Sequence, residues 1–164
     1  MATNPLHREL LGVHEMIRAD LARVMTLADD AAGGAVPEEI QERLGELKSS
    51  SILWQLKLGC LRHCRFVHSH HSLEDARLFP AIRRLGPELN PVVDRLEADH
   101  RSVSVLLATV EGAAVELDGE ETAEDARRRV VESLGELGGL LLDHLAFEEE
   151  ALEEPLGRMG SWPA

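Results

Sequence analysis

Two stretches of this chain place a glutamate four residues after a histidine: His70 with Glu74, and His144 with Glu148. On a helix, residues four apart share a face, so each pair projects an imidazole and a carboxylate in one direction. Imidazole suits iron, copper and zinc, and a carboxylate can bridge two cations while offsetting their charge. Two such pairs facing each other make a dinuclear site with two bridges. Single histidines, His14 and His100, fall on the apolar stripes of two further segments. A glutamate is almost never buried without a partner. A metal gives two inward glutamates and four inward histidines one common explanation. The candidate ligands are therefore His14, His70, Glu74, His100, His144 and Glu148.

The elements that must position them are four segments with apolar residues at helical spacing. The first runs from about Pro5 to Ala31, with the stripe Leu10, His14, Ile17, Leu21, Val24, Ala28, and stops at Gly33-Gly34. Pro37 opens a short polar helical stretch to about Lys48, a lead-in to the second segment. That segment follows Ser49-Ser50-Ser51 and ends at Gly86-Pro87, with Pro80 expected to kink or restart it. The third runs from near Glu88 to about Leu117, with Pro91 tolerable in its first turn. After the Asp118-Gly119 turn, Thr122 can cap the fourth, which carries Val130, Leu134, Leu137, Leu141, His144, Glu148 and Leu152 before Pro155. The tail to Ala164 reads as irregular. The expected fold is all-α: an up-down-up-down four-helix bundle in one domain over residues 1–164, with the bundle at about 5–155. His14 and His100 lie early in their helices and the two His/Glu pairs lie late. In antiparallel neighbours those positions meet at one level.

Composition supports helices. Of 164 residues 44% are hydrophobic, aromatics are 3% and tyrosine is absent, whereas strands favour β-branched and aromatic residues. A net charge of -13 argues against nucleic acid and anionic membrane surfaces as partners. No apolar run is long enough for a membrane span, and the cytoplasm is the expected location. Cys60 and Cys64, four apart on one helix, read as packed thiols rather than a disulfide.

The set of a lone His14, the run His70, Glu74, Leu78-Phe79-Pro80, His100, and the pair His144/Glu148 resembles the hemerythrin-like, or HHE cation-binding, family over roughly Leu6 to Pro155. The resemblance implies two iron ions, bridged by an oxo or hydroxo group. His14 and His70 would bind one, His100 and His144 the other, and Glu74 and Glu148 would bridge. Oxygen-carrying members place a further histidine four residues after the helix-three ligand, where this chain has Ser104. That departure argues against simple oxygen transport and implies an open position on the Ser104 side. The implied ligands are O2, peroxide or NO, acted on by a di-iron oxidoreductase; the alternative is a non-catalytic oxygen- or iron-binding sensor or storage module. A homodimer or an electron-donor protein is the compatible protein partner. Manganese or zinc suits the same ligands.

Several neighbours compete for these roles. His71, with Asp75 four residues on, could ligate in place of His70, but its face is less apolar; with His70 preferred, His71 reads as a supporting or solvent-facing group. His7 and His63 lie one heptad, about 10 Å, from His14 and His70, too far to join the same layer. Glu97, Asp99, Asp143, Glu149 and Glu150 flank the ligands and can accept the second N–H of a ligating imidazole. Arg18 has a carboxylate to pair with nearby. A ferritin-like reading rests on Glu97-Ala-Asp-His100 alone, because the fourth helix lacks Glu-x-x-His. Trp54 and Trp162 read as packing residues.

Overall fold

The computed structural model describes residues 4–32, 38–118 and 123–164, with side chains placed at 4–31, 52–117 and 124–164. The helix α1 (Pro5–Ala32) opens with Pro5 in its first turn, where the missing N–H costs nothing. Asn4 caps it by accepting the Leu6 N–H at 2.9 Å. Helix α2 (Glu38–Leu73) is continuous. The polar lead-in is therefore helical as expected, but it runs unbroken through Ser49-Ser50-Ser51 instead of preceding a new start. A π-helical turn, Glu74–Leu78, then leads into α3 (Phe79–Leu85), with Pro80 in its first turn. This is the restart expected at Pro80. Proline has no N–H for the carbonyl four residues back and its ring crowds that carbonyl, so the backbone widens.

A short 3₁₀ turn, Pro87–Leu89, precedes α4 (Asn90–Val115), and α5 (Ala123–Ala151) follows. The tail is more ordered than its sequence suggested: α6 (Glu153–Arg158) buries Pro155 and Leu156 before the chain becomes irregular. The expected stop at Gly33-Gly34, the opening Pro37, the Gly119 turn and the Thr122 cap lie outside the described residues. No described helix is long and apolar enough to cross a membrane.

The pairings fix the topology. Along α1, His14 meets Glu149, while the Ala31 carbonyl accepts from Arg127, so α1 and α5 are antiparallel. His63 meets Asp20 and His70 meets His14, which makes α2 antiparallel to α1. His71 stacks on His100 and the Cys64 thiol reaches the Leu107 carbonyl, which orients α4 against α2. Asp99 meets His144 and Glu116 meets Arg129, which closes α4 on α5. The chain is an all-α, up-down-up-down four-helix bundle.

Two apolar clusters fill it. The larger holds Ile17, Leu21, Cys60, Val67, Leu107, Leu134 and Leu141 among others. The smaller gathers Leu10, Phe79, Ile82, Leu96, Leu152 and Leu156. Between them lies a layer of polar side chains.

Candidate metal centre

All six sequence-derived candidates lie in that layer. His14, Glu74, His100, His144 and Glu148 are buried, and His70 is 11% exposed on its side chain. A seventh residue joins them. The ligand atoms of His71, His100 and His144 lie within 4.8 Å of one another, as do those of His14, His70, Glu74 and Glu148. His71 is 5% exposed and stacks on His100 with ring centroids 3.8 Å apart. It is thus neither solvent-facing nor paired with Asp75, as its helical face had suggested. Its imidazole stands beside Ser104, on the side where the sequence implied an open position.

The carboxylates lie between the two groups. Glu74 Oε1 is 3.3 Å from His70 Nε2 and 3.4 Å from His100 Nε2. Glu148 Oε2 is 3.2 Å from His144 Nε2 and 3.9 Å from His14 Nε2. Each glutamate therefore touches one histidine of each group, which is where a bridging carboxylate has to sit.

Three histidines are held from behind. His14 Nδ1 is 2.8 Å from Glu149, His100 Nδ1 is 2.8 Å from Asp75, and His144 Nδ1 is 3.2 Å from Asp99. With the proton on Nδ1, each Nε2 keeps a free lone pair aimed inward. Glu149 also accepts from Arg18 at 2.7 Å, which identifies that arginine's partner. Glu97 turns away to Arg83, so the Glu97/His100 pair of the ferritin-like reading does not form.

The Nε2 atoms of all five histidines, and both oxygens of both glutamates, are buried without a hydrogen-bond partner. Buried polar atoms are almost always paired. Nine unpaired donor atoms converging in one layer fit a cation, which accepts lone pairs where no N–H or O–H is available. Burial pushes His70 down to about 4, His100 to about 3 and His71 to about 2, so these imidazoles are neutral and ready to coordinate at neutral pH. Burial, and then the charge of Glu148, raises the Glu74 carboxyl well above its usual range. Burial also works against Glu148, but the closeness of Glu74, His144 and His14 holds it low. The two neighbouring carboxyls are thus pushed in opposite directions.

The remaining candidates fall outside the layer. His63 Nδ1 pairs with Asp20 at 2.8 Å and His7 Nε2 with the Glu149 carbonyl at 2.8 Å. Cys60 and Cys64 are free thiols, fully buried and pushed up to about 12 by burial, so they are inert packing residues.

The hemerythrin HHE cation binding domain matches residues 56–155 of the chain, a stretch that holds the whole layer except His14. No curated protein and no solved structure matches it. A helical module with His/Glu groups able to hold a metal is what that domain implies, and the chain belongs to the hemerythrin HHE cation-binding family.

Proposed function

We propose that the layer holds two iron ions and that the protein reacts through them with O2, peroxide or nitrogen oxides, in redox defence or in oxidising a small molecule. His14 and His70 would hold one ion, His71, His100 and His144 the other, with Glu74 and Glu148 between them. Ferrous iron with a free coordination position binds such oxidants and exchanges electrons with them. The single observation behind this reading is the convergence of five unpaired Nε2 atoms and four unpaired carboxylate oxygens from four helices.

The donors are uneven. One group has three imidazoles and the other two, with Glu74 and Glu148 beside His14 and His70 and also within reach of His100 and His144. A metal that takes up to about six donors is therefore left with more vacant positions on the His14/His70 side. His71 moves the expected opening from the Ser104 side to that one. The apolar clusters above and below close the layer off along the bundle axis.

The test is metal analysis followed by stopped-flow spectroscopy of the anaerobically reduced, iron-loaded protein mixed with O2, peroxide and NO. The expected result is two iron ions per chain and a transient absorption with continued loss of oxidant. A stable adduct without turnover would make the protein a binding or sensing module instead. One metal per chain, or full iron content in His70→Ala and His144→Ala, would remove the site assignment.

A further inference from the structure

A second feature abuts the layer. A cavity of about 300 Å³ opens between α1, the end of α2 and the C-terminal tail. Its walls are Leu10, Val13, Leu73, Leu78, Trp162 and Pro163, all apolar. Its buried end is formed by His70 and Glu74, and its exposed mouth by Glu9 and Arg77. The Trp162 indole N–H donates to Glu9, which pins the tail across the mouth. The cavity on the opposite face, about 180 Å³, is lined mainly by polar groups such as His68, Asp75, Arg101 and Ser104. The two faces of the layer thus differ in chemistry as well as in donor count.

Three observations specify what the apolar cavity takes. A dry cavity of about 150 Å³ accommodates benzene, so this volume suits an apolar body roughly twice that size. His70, the most exposed of the five histidines, contributes to its inner end, on the side with fewer histidines. At the mouth, Glu9 is engaged by Trp162, whereas Arg77 makes no ion pair or hydrogen bond among the described residues. Arg18, Arg83 and Arg158 are held by carboxylates, and among the arginines without an ion pair Arg77 is the one that lines this cavity. A guanidinium left unpaired at the edge of an apolar pocket matches a carboxylate or similar oxyanion.

We propose that this cavity binds a small apolar molecule carrying one acidic group, its apolar body against the His70/Glu74 side of the layer and its acid on Arg77. The proposal deepens the di-iron reading and rests on it for the role of the ligand, since the molecule would lie beside the ion with more free positions. Binding itself depends on the cavity alone. The tail residues Trp162 and Pro163, beyond the 56–155 stretch that the family model matches, form part of the wall.

The test uses iron-loaded Trp54→Phe protein, in which Trp162 is the one remaining tryptophan, titrated with octanoate and with octanol while its fluorescence is followed. Octanoate is expected to give a saturable change. Arg77→Gln should weaken octanoate about tenfold, as loss of one charge-assisted contact does, and leave octanol unchanged. Val13→Phe fills the cavity and should abolish both. Leu73→Glu, at a position 57% exposed and so tolerant of change, repeats the test by placing a negative charge on the wall. No saturable change with octanoate, or octanoate binding that none of the three substitutions alters, would overturn the proposal. Iron is counted on the same samples. Two ions per chain without binding removes the pocket alone, and binding with fewer than two removes the di-iron reading alone.

Discussion

The side chains behind the layer decide which nitrogen of each imidazole faces inward. Asp99 accepts from His144, Asp75 from His100 and Glu149 from His14, each through Nδ1. An amide in place of a carboxylate keeps the shape but removes the charge that makes the imidazole a strong donor. Asp99→Asn and Asp75→Asn should each weaken metal binding by about 10–100-fold, measured by competition with a chelator of known affinity, with helix content unchanged. Unchanged affinity in both would mean that these carboxylates only decorate the surface. Six of the seven layer residues were legible from spacing, because an apolar stripe that carries His and Glu is conspicuous. His71 was not, for a geometric reason. Consecutive helical residues point about 100° apart, and in a square bundle a helix has two neighbours at a similar angle. His70 faces α1, with its ring 5.3 Å from that of His14, while His71 faces α4 on His100. Choosing one stripe for α2 discards its second neighbour. The doublet His70-His71 was the available signal.

At the scale of elements, the turn Glu74–Leu78 links the layer to the smaller core cluster. His70, Glu74, Leu78 and Ile82 are spaced four apart, and a strict spacing of four drifts about 40° per step on an α-helix. A wider π turn takes up part of that drift, and such turns recur at functional sites. The break itself was legible from Pro80, and its form was written in the spacing; α6 went unread because Pro155 resembled a terminator. The consequence of the turn is that Phe79, fully buried, comes to rest 5.0 Å from the His100 ring. Phe79→Ala should cost about 3–5 kcal/mol of stability, because the site is closed in by Ile82, Leu96 and Leu152 and cannot collapse freely. Urea unfolding of the iron-loaded protein measures this. A loss below about 1 kcal/mol would show that Phe79 is not part of a packed wall around His100.

Across the whole molecule, the core is apolar at both ends and polar in the middle, so a metal held there would add cohesion at the level where hydrophobic packing is interrupted. The four-helix order and the common level of the ligands were legible from helix positions; the division into two clusters, with Leu10 and Leu152 beyond the layer and Ile17 and Leu145 before it, needed the packing. Loading the layer should raise the melting temperature, and a free metal concentration about a thousandfold above its Kd corresponds to roughly 4 kcal/mol. The pH dependence of that gain has a definite sign. His70, His71 and His100, pushed down by burial, hold no proton at neutral pH and release none. Glu74 is pushed well up by burial and by the charge of Glu148. Burial disfavours the charged form of His144, but Glu148 and Asp99 outweigh it and raise this histidine. A metal binds the deprotonated ligands, so loading displaces whatever protons the raised Glu74 and His144 hold, and affinity rises with pH. Adding zinc or ferrous iron to metal-free protein in weak buffer should therefore acidify the solution. The gap in melting temperature between loaded and metal-free protein should shrink as the pH is lowered from about 8 to about 6. Metal uptake without proton release, or a gap that widens on acidification, would mean that Glu74 and His144 are already deprotonated in the metal-free protein.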